Sequence, residues 1–293
     1  MSDLLSIVTP TYNRVDTLKV LFDSLVRQTS YQFEWIVIDD GSTDETKVFF
    51  ENIICKDFTI KYVAQKNGGK HRALNSSHSY VNGSIVLILD SDDYLVEDAV
   101  ETVIKEWQDY KMIYDICGMS YLKGKPDGSY LSKKNEADVY IDDDIHYRVN
   151  NNIRGDRCEV LRADLFKKYS FPEFEGEKFM SEGWLWTNLA KKFKTVYRNK
   201  IIYICDYLPD GLTKGGRKLR LLSPLGMIEN CKAYLCKEVR LAIRIKETLL
   251  YAVYARGTNV KFNTYRRDTN IIFPLNVILY PFGKIIYTVW SKN

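Results

Sequence analysis

The stretch "SIVLILDSDDYL", residues 84–95, runs five apolar residues directly into four polar ones. Three of the polar residues, Asp90, Asp92 and Asp93, carry carboxylates. The apolar half is typical of a short buried strand that ends at a turn. Crowded carboxylates repel one another when no metal ion is bound, so the stretch predicts a strand whose carboxyl end holds a cation.

Strands and helices alternate around this stretch. Short segments rich in β-branched residues occur at 5–9, 33–39, 59–64 and, more weakly, 114–120. Apolar residues at helical spacing occur between the predicted strands, at 16–28, 44–54, 70–82 and 97–110. Parallel strands need a crossover connection, and a helix between successive strands supplies it. We therefore predict an α/β fold with a mostly parallel sheet and helices on both faces.

Each of the first four predicted strands ends in a polar loop. The loops are "PTYNR" (10–14), "DDGSTD" (39–44), "QKNGGKHRA" (65–73) and "DSDD" (90–93). Each loop alone is typical of a turn or a helix cap. Parallel strands place their carboxyl ends at one edge of the sheet, where α/β proteins bind their ligands. Acids, basic residues, glycines and an aromatic residue at one edge therefore favour a binding site.

The chemistry of these loops suits a nucleotide diphosphate. Clustered carboxylates bind Mg²⁺ or Mn²⁺ through oxygen, and the metal ion brings positive charge to a diphosphate. The third loop adds basic side chains around a Gly-Gly turn with backbone N–H groups free for phosphate oxygens. These basic residues are Lys66, Lys70, His71 and Arg72. Tyr12 suits stacking on a base, and Asp40 suits accepting a hydrogen bond from a ring N–H.

The order of these motifs resembles a known family. "TPTYNR", "VIDDGSTD", "NGGKHRALN" and "LILDSDD" over residues 9–93, followed by "GEKFMSEGWLW" at 176–186, resemble a family 2 glycosyltransferase of the GT-A fold. The similarity covers roughly the first 215 residues and is greatest to bacterial members that build capsular or other surface polysaccharides. It implies an inverting transfer of a sugar from a nucleotide donor, usually a UDP-sugar, with Mn²⁺ or Mg²⁺ as cofactor.

The resemblance also implies a set of donor-binding residues. They are Pro10, Tyr12, Asp40, Lys70, Arg72, Asp90 and Asp92. The first three match the family's base-binding positions, and Lys70 or Arg72 approaches the diphosphate. Asp92 matches the main metal ligand of the DxD pair, while Asp90 faces the ribose or a metal-bound water. Asp93 either supports the metal site from behind or caps the helix that begins near residue 97.

Inversion in one displacement needs a carboxylate that accepts the proton of the acceptor hydroxyl. The family places this base at the start of a helix, in an acidic motif often written ED. Only Glu182 fits, and Gly183 stands where the second acid would be. Glu177 is the alternative base. Trp184 either lines the acceptor site as a sugar-stacking platform or packs as an ordinary core residue.

The resemblance divides the chain into a catalytic domain, residues 1–215, and a C-terminal region, residues 216–293. Within the catalytic domain, residues 1–120 form the nucleotide-sugar-binding half and residues 121–215 the acceptor half. "DGLTKGGRKLR" (210–220) joins the two parts. Its glycines and basic residues favour either a mobile segment that closes over the diphosphate through Lys214 or Arg217, or a linker with solvated charges.

Cysteine content and charge bear on the compartment and the partners. The six cysteines contain no CxxC pair and the N-terminus lacks a signal-peptide pattern, which favours a reduced, cytoplasmic protein. Residues 207–293 contain 15 Lys/Arg and 5 Asp/Glu, which gives a net charge of +10. Because the whole chain has a net charge of +4, the preceding residues carry a net charge of −6. An acidic body without a recognised motif argues against a nucleic-acid partner.

The basic C-terminal region also contains the apolar run "NIIFPLNVILYPFGKIIYTVW", residues 270–290. Its prolines and lysine disfavour a straight membrane-spanning helix, so it suits either an interfacial segment or a buried hairpin. Residues 238–256 predict an amphipathic helix with an apolar and a basic side. The apolar side comprises Leu241, Ile245, Leu249 and residues 251–253, and the basic side comprises Arg240, Arg244 and Lys246. We expect peripheral association with the anionic inner face of the cell membrane, where the resemblance implies a lipid-linked saccharide acceptor.

Two other functions fit parts of the sequence. A nucleotidyltransferase that makes sugar nucleotides also uses a parallel sheet and acids, but it needs a glycine-rich loop after the first strand, and "TPTYNR" has no glycine. A non-catalytic carbohydrate-binding protein needs neither the acidic turn nor Glu182.

Overall fold

The computed structural model describes residues 3–205 and 216–292 of a chain that forms two compact units. Unit 1 comprises residues 1–143, 153–170 and 193–209, and unit 2 comprises residues 144–152, 171–192 and 210–293. Residues 171–192, which the sequence places in the acceptor half, thus belong to unit 2. The division at residue 215 stays a prediction about function.

Unit 1 contains the strands and the first five helices. The strands are β1 Leu5–Thr11, β2 Phe33–Asp39, β3 Thr59–Ala64, β4 Ile85–Ile88, β5 Tyr94–Leu95, β6 Ile116–Gly124, β7 Val139–Asp142, β8 Arg157–Arg162 and β9 Lys194–Ile204. The helices are α1 Val15–Val26, α2 Thr46–Asn52, α3 Lys70–Ser77, α4 Ala99–Tyr110 and α5 Ala163–Lys168. Unit 2 contains α6 Gly183–Ala190, α7 Gly216–Leu222, α8 Pro224–Ala233, α9 Leu241–Tyr254, α10 Phe262–Asp268 and α11 Leu275–Trp290.

The strands form one sheet in the order β3-β2-β1-β4-β8-β6-β9-β5, with β7 paired to β9. β1 lies parallel to both β2 and β4, and β3 lies parallel to β2. The four predicted parallel strands are therefore confirmed. Beyond β4 the sheet is mixed, because β8 lies antiparallel between β4 and β6.

Helices cover both faces of this sheet. Leu5, Ile7 and Trp35 share one core cluster with side chains of α1 and α4. Val8 and Ile36 are also fully buried, and they point to the opposite face because side chains alternate along a strand. On that face α3 packs on β1 and β2, and α5 packs on β4 and β8. Burial on both faces explains why these strands are continuous apolar runs in the sequence.

A buried carboxylate fixes the turn that leads into β4. Glu34 on β2 is 6% exposed, and its Oε1 accepts hydrogen bonds from the Ser6 hydroxyl (2.6 Å) and the Asn82 N–H (2.7 Å). The Gly83 N–H donates to the same oxygen at 3.2 Å, and a Cβ at Gly83 would lie 2.4 Å from the Leu4 carbonyl oxygen. These contacts fix the start of β4 beside β1 and thereby the place of the acidic turn that follows β4.

Unit 2 has its own core, centred on α9. Tyr251 and Tyr254 of α9 pack with Met227 and Cys231 of α8. The predicted amphipathic helix is present, but residues 251–253 are buried and do not form a lipid-facing side. The prediction for this part of α9 was wrong because an apolar helix face does not record whether protein or lipid covers it.

Most of the apolar run at 270–290 forms α11, which contains Pro281 and packs on α9. Over residues 3–205 and 216–292, no helix combines the length and the apolarity needed to cross a bilayer.

Replacement of Gly118 by alanine tests the close approach of β6 to β8. A Cβ at Gly118 would lie 1.9 Å from the Val160 carbonyl oxygen, so the strands must separate. We expect Gly118→Ala to lower the free energy of unfolding in urea by about 3 kcal/mol. Gly216→Ala is the control, because no atom of residues 3–205 and 216–292 lies within 4 Å of the added Cβ, and its effect should stay within about 0.5 kcal/mol. Equal stability of the two variants would contradict this packing.

Candidate active site

Loops that follow β1, β3 and β4 meet through ion pairs at the carboxyl edge of the sheet. Arg14 after β1 lies 3.3 Å from Asp92 after β4 (Nη1 to Oδ2). Lys70, at the start of α3, lies 2.5 Å from Asp90 (Nζ to Oδ1). The predicted convergence of the strand-end loops at one edge is therefore confirmed for these three loops.

Asn13 joins the loops that follow β1 and β2. Its φ of +50° lies in the left-handed region, which asparagine tolerates. Its Oδ1 accepts a hydrogen bond from the Thr43 N–H at 2.7 Å, and its own N–H donates to the Ser42 hydroxyl at 2.8 Å. The turn leaves the Tyr12 ring 47% exposed, while Pro10 is buried within β1. The aromatic ring predicted for the base is thus accessible.

Asp40 shapes the loop that follows β3. It is 4% exposed, and its Oδ1 accepts hydrogen bonds from Gln65 Nε2 and the Gly68 N–H, both at 2.8 Å. Its Oδ2 accepts a third from the Gly69 N–H at 2.7 Å. The expectation that these glycine N–H groups are free for phosphate is therefore wrong. A carboxylate has about four acceptor positions, so these three hydrogen bonds leave about one of them unfilled.

Gly68 also makes room for Arg72. A Cβ at Gly68 would lie 2.5 Å from Arg72 Cδ, so the half-buried arginine passes directly over the glycine. His71, predicted as one of the basic residues of this loop, is buried and 4% exposed. Lys214 lies outside the described residues.

Two lysines flank Asp90. Lys70 contacts one carboxylate oxygen, and Lys123 on β6 lies 3.9 Å from the other. Burial alone would raise the pKa of Asp90, but the two ammonium groups outweigh it and hold this pKa below its usual value. Burial also opposes the charge on Lys123, yet Asp90 and Asp93 raise its pKa above the ordinary value. Asp90 and Lys123 thus keep each other charged.

Asp93 lies behind this pair. Its side chain is 5% exposed, its Oδ2 accepts a hydrogen bond from the Tyr203 hydroxyl at 2.7 Å, and Lys123 Nζ lies 3.8 Å away. Burial raises the pKa of the Asp93 carboxyl to about 6, although Lys123 and Tyr203 oppose the shift. Because α4 begins at Ala99 and this carboxylate points to Tyr203, the alternative that Asp93 caps the helix was wrong.

Three residues that support the turn were missed by the sequence predictions: Arg14, Lys123 and Tyr203. Lys123 Nζ lies 3.9 Å from the centroid of the Tyr203 ring, and the Tyr203 hydroxyl accepts a hydrogen bond from the Asp90 N–H at 3.0 Å. The signal that could have revealed Lys123 was a lysine within the largely apolar strand sequence "ICGMSYLKG". Buried lysines are rare unless they are paired.

The predicted base and its aromatic neighbour belong to unit 2. Glu182 is half-buried at the N-terminus of α6. A Cβ at Gly183 would lie 2.7 Å from the Tyr234 hydroxyl, so a second acid at that position would require Tyr234 to move. Trp184 is half-buried with its ring centroid 5.9 Å from that of Phe171. Gly183 thus has a steric reason to replace the second acid of the family motif.

Glu177 stabilises the start of α8. It is 8% exposed, its Oε1 accepts a hydrogen bond from the Leu225 N–H, and its Oε2 accepts one from the Gly226 N–H, both at 2.8 Å. The first N–H groups of a helix have no partner within the helix, and a carboxylate there also interacts favourably with the helix dipole. Glu177 therefore acts as the cap of α8.

The family model described as Glycosyl transferase family 2 matches residues 6–170, more than half of the chain. The chain belongs to glycosyl transferase family 2. It is therefore a glycosyltransferase, and the resemblance drawn from its motifs is confirmed. Membership favours this activity over the nucleotidyltransferase and carbohydrate-binding alternatives.

A similar protein of Campylobacter jejuni is named GalNAc(5)-diNAcBac-PP-undecaprenol beta-1,3-glucosyltransferase. This family 2 chain is 28% identical to it over 232 residues, which cover 78% of the chain and 73% of the relative. The solved structure of S. aureus TarS 1–349 in complex with UDP-GlcNAc has a TM-score of 0.61 at 16% identity and covers 99% and 90% of the two chains. Mannosyltransferase PcManGT from Pyrobaculum calidifontis, in complex with GDP-Man and Mn²⁺, has a TM-score of 0.58 at 14% identity and covers 100% and 89%. These structures confirm the predicted GT-A fold.

Removal of Lys123 tests how the acidic turn is held. Lys123→Met leaves the buried carboxylate of Asp93 without its nearest cation, so we expect the free energy of unfolding to fall by about 3–5 kcal/mol. Lys123→Met combined with Asp93→Asn should regain most of this loss, because the buried charge is removed with its partner. Chemical denaturation of both proteins measures the difference.

Lys194→Met is the matched control, since Lys194 lies 3.9 Å from Asp115 but both side chains are more than half exposed. Its effect should stay below about 1 kcal/mol. If the single and double Lys123 variants were equally destabilised, the coupling between Lys123 and Asp93 would be refuted.

Proposed function

We propose that this glycosyltransferase transfers a sugar from a UDP-sugar to a saccharide acceptor with inversion at the anomeric carbon. The observation that carries the proposal is the edge of unit 1, where an exposed aromatic ring, cations and carboxylates lie at the ends of parallel strands. The nucleotide sugars bound to TarS and to the mannosyltransferase support a donor of this class.

Different residues are proposed to contact the base and the diphosphate of the donor. Tyr12 offers its exposed ring for stacking on the base, and Asp40 offers its remaining acceptor position. Lys70, Arg72 and Arg14 supply charge-assisted hydrogen bonds to phosphate oxygens. Lys214 is proposed as a further contact to the phosphate oxygens.

Asp90 and Asp92 are the proposed ligands of a divalent cation. Their side chains are 30% and 27% exposed, and they present the hard oxygen ligands that Mn²⁺ and Mg²⁺ prefer. Asp92 is the proposed main ligand, and the Mn²⁺ of the mannosyltransferase supports a metal in this fold. A bound divalent cation supplies positive charge that stabilises the leaving diphosphate. Asp93 remains behind the site and holds the turn through Tyr203 and Lys123.

Glu182 is the proposed base. Its carboxylate takes the proton of the acceptor hydroxyl while the hydroxyl oxygen bonds to the anomeric carbon and the bond to the diphosphate breaks. Glu177 is less suited to this role, because each of its oxygens already accepts a backbone hydrogen bond. Trp184, beside the base in sequence, is proposed to stack on the acceptor sugar.

The acceptor is proposed to be a lipid-linked saccharide in the synthesis of a capsular or other surface polysaccharide. The name of the C. jejuni relative, which contains PP-undecaprenol, supports an acceptor of this kind. Residues 216–292 contain 14 Lys/Arg against 4 Asp/Glu, an excess of 10 positive charges that suits an anionic membrane surface. We therefore place the enzyme in the cytoplasm, peripherally associated with the inner face of the cell membrane.

A panel of UDP- and GDP-sugars with Mn²⁺ or Mg²⁺ and a mixture of lipid-linked saccharide acceptors in detergent tests the donor class. We expect release of UDP from one of the UDP-sugars, and only when a divalent cation is present. Release of GDP alone would overturn the choice of UDP, and release of neither nucleotide would contradict the proposed reaction.

Replacement of Glu182 by glutamine tests the base. Glutamine keeps the size of the side chain but cannot accept the proton, so turnover should fall by about 10²- to 10⁴-fold with donor affinity unchanged. Glu177→Gln is the control: it disturbs the cap of α8 and should lower stability by about 1–2 kcal/mol without abolishing turnover. A folded but inactive Glu177→Gln beside an active Glu182→Gln would reverse the assignment.

A further inference from the structure

Helix α11 has two faces that differ in exposure. Asn276 and Gly283 are buried, and a Cβ at Gly283 would lie 2.6 Å from the carbonyl carbon of Ala252 on α9. This face is therefore fixed by close backbone packing within unit 2. Because α11 is packed closely on α9, its opposite face has a fixed orientation within unit 2.

The opposite face is an exposed apolar stripe. Its four residues are Ile278, Phe282, Ile285 and Val289, which are 58%, 50%, 61% and 53% exposed. Their spacing of four, three and four residues places them in one row along the helix. Phe273, 55% exposed, extends this apolar surface beyond the N-terminus of α11.

Positive charge surrounds the stripe. α11 contains Lys284 and no acidic residue. The Arg266 guanidinium lies 5.5 Å from the centroid of the Phe273 ring, and the Arg217 guanidinium lies 5.1 Å from that of the Trp290 ring. Cations are thus present at both ends of the helix and along it.

We propose that the exposed stripe of α11 docks on the surface of an anionic lipid bilayer, with its four apolar side chains at the boundary between headgroups and acyl chains. This inference rests on the proposed function, because a lipid-linked acceptor is presented at such a surface. A helix of 16 residues is about 24 Å long, shorter than the bilayer core of about 30 Å. With its other face packed on α9, the helix lies in the plane of the interface rather than across it.

Charge favours a bilayer over a second copy of the chain as the surface that covers the stripe. Self-association through this stripe would bring the cations of two copies together, and like charges across an interface are unfavourable. Anionic headgroups supply the opposite charge, and each nearby Lys or Arg should strengthen binding about fivefold. The exposed apolar side chains add the burial that a purely electrostatic contact lacks.

Flotation of the 293-residue chain with vesicles tests the proposal. The vesicles contain phosphatidylcholine alone or phosphatidylcholine with phosphatidylglycerol. We expect the wild type to float only with the anionic vesicles, and the Phe282→Glu/Ile285→Glu variant to lose about tenfold or more of this binding. Lys284→Ala, which leaves the stripe intact, should lose about fivefold.

The matched control carries the same change in charge on unit 1. Ile54→Glu/Met112→Glu replaces two side chains that are 85% and 87% exposed, and it should float like the wild type. Thermal unfolding of each variant establishes that it is folded. The proposal is overturned if the wild type stays in solution, if both double variants lose binding equally, or if light scattering shows a dimer that Phe282→Glu/Ile285→Glu dissociates.

Nucleotide release measured with the same acceptors in detergent and without vesicles separates this inference from the proposed function. Vesicle binding through the stripe in a protein that releases no nucleotide would uphold the docking surface and refute the proposed reaction. Nucleotide release by a protein that binds no vesicle would support the proposed reaction and refute the docking surface.

Discussion

The geometry of the candidate site depends on the neutralisation of the acidic turn at residues 90–93. Its three carboxylates would repel one another and distort the turn if nothing opposed them. Lys70 and Lys123 flank Asp90, Lys123 also approaches Asp93, and Arg14 pairs with Asp92. The turn therefore keeps its shape through cations that come from three other parts of the chain. That shape determines where a metal ion or a phosphate can bind.

The three cations differ in burial and hence in what they can do. The Lys123 side chain is 11% exposed and lies over the Tyr203 ring, so it is a permanent counter-charge. Lys70 and Arg14 are 27% and 24% exposed and reach the turn from the edge of the sheet. In the proposed mechanism these two would exchange partners: the carboxylates would hold a divalent cation, and Lys70 and Arg14 would contact phosphate oxygens. The charge at the edge would stay balanced with and without the donor if the metal and the diphosphate bound together.

Local patterns in the sequence were enough to predict β2 at 33–39 and β3 at 59–64, because strand periodicity and β-branched composition act over a few residues. The convergence of the polar loops at one edge of the sheet followed from the parallel topology of the strands. Lys123 was missed because its partners on the acidic turn are about 30 residues away in sequence: a lysine within an apolar strand signals a buried cation but does not identify the partners. Residues 251–253 were misassigned for a related reason: the pattern of a helix shows an apolar side but does not identify the surface that covers it. The second role of Asp40, as an acceptor for glycine N–H groups, likewise appears only when the loops are folded.

Titration of UDP into the wild type and into Asp92→Asn, each with and without Mn²⁺, tests most directly whether the acidic turn binds the donor through a metal. We expect Mn²⁺ to raise the affinity of the wild type for UDP by about 5- to 150-fold and to leave that of Asp92→Asn nearly unchanged, with thermal unfolding alike in both proteins. The same dependence on Mn²⁺ in both proteins, or none in the wild type, would contradict this account.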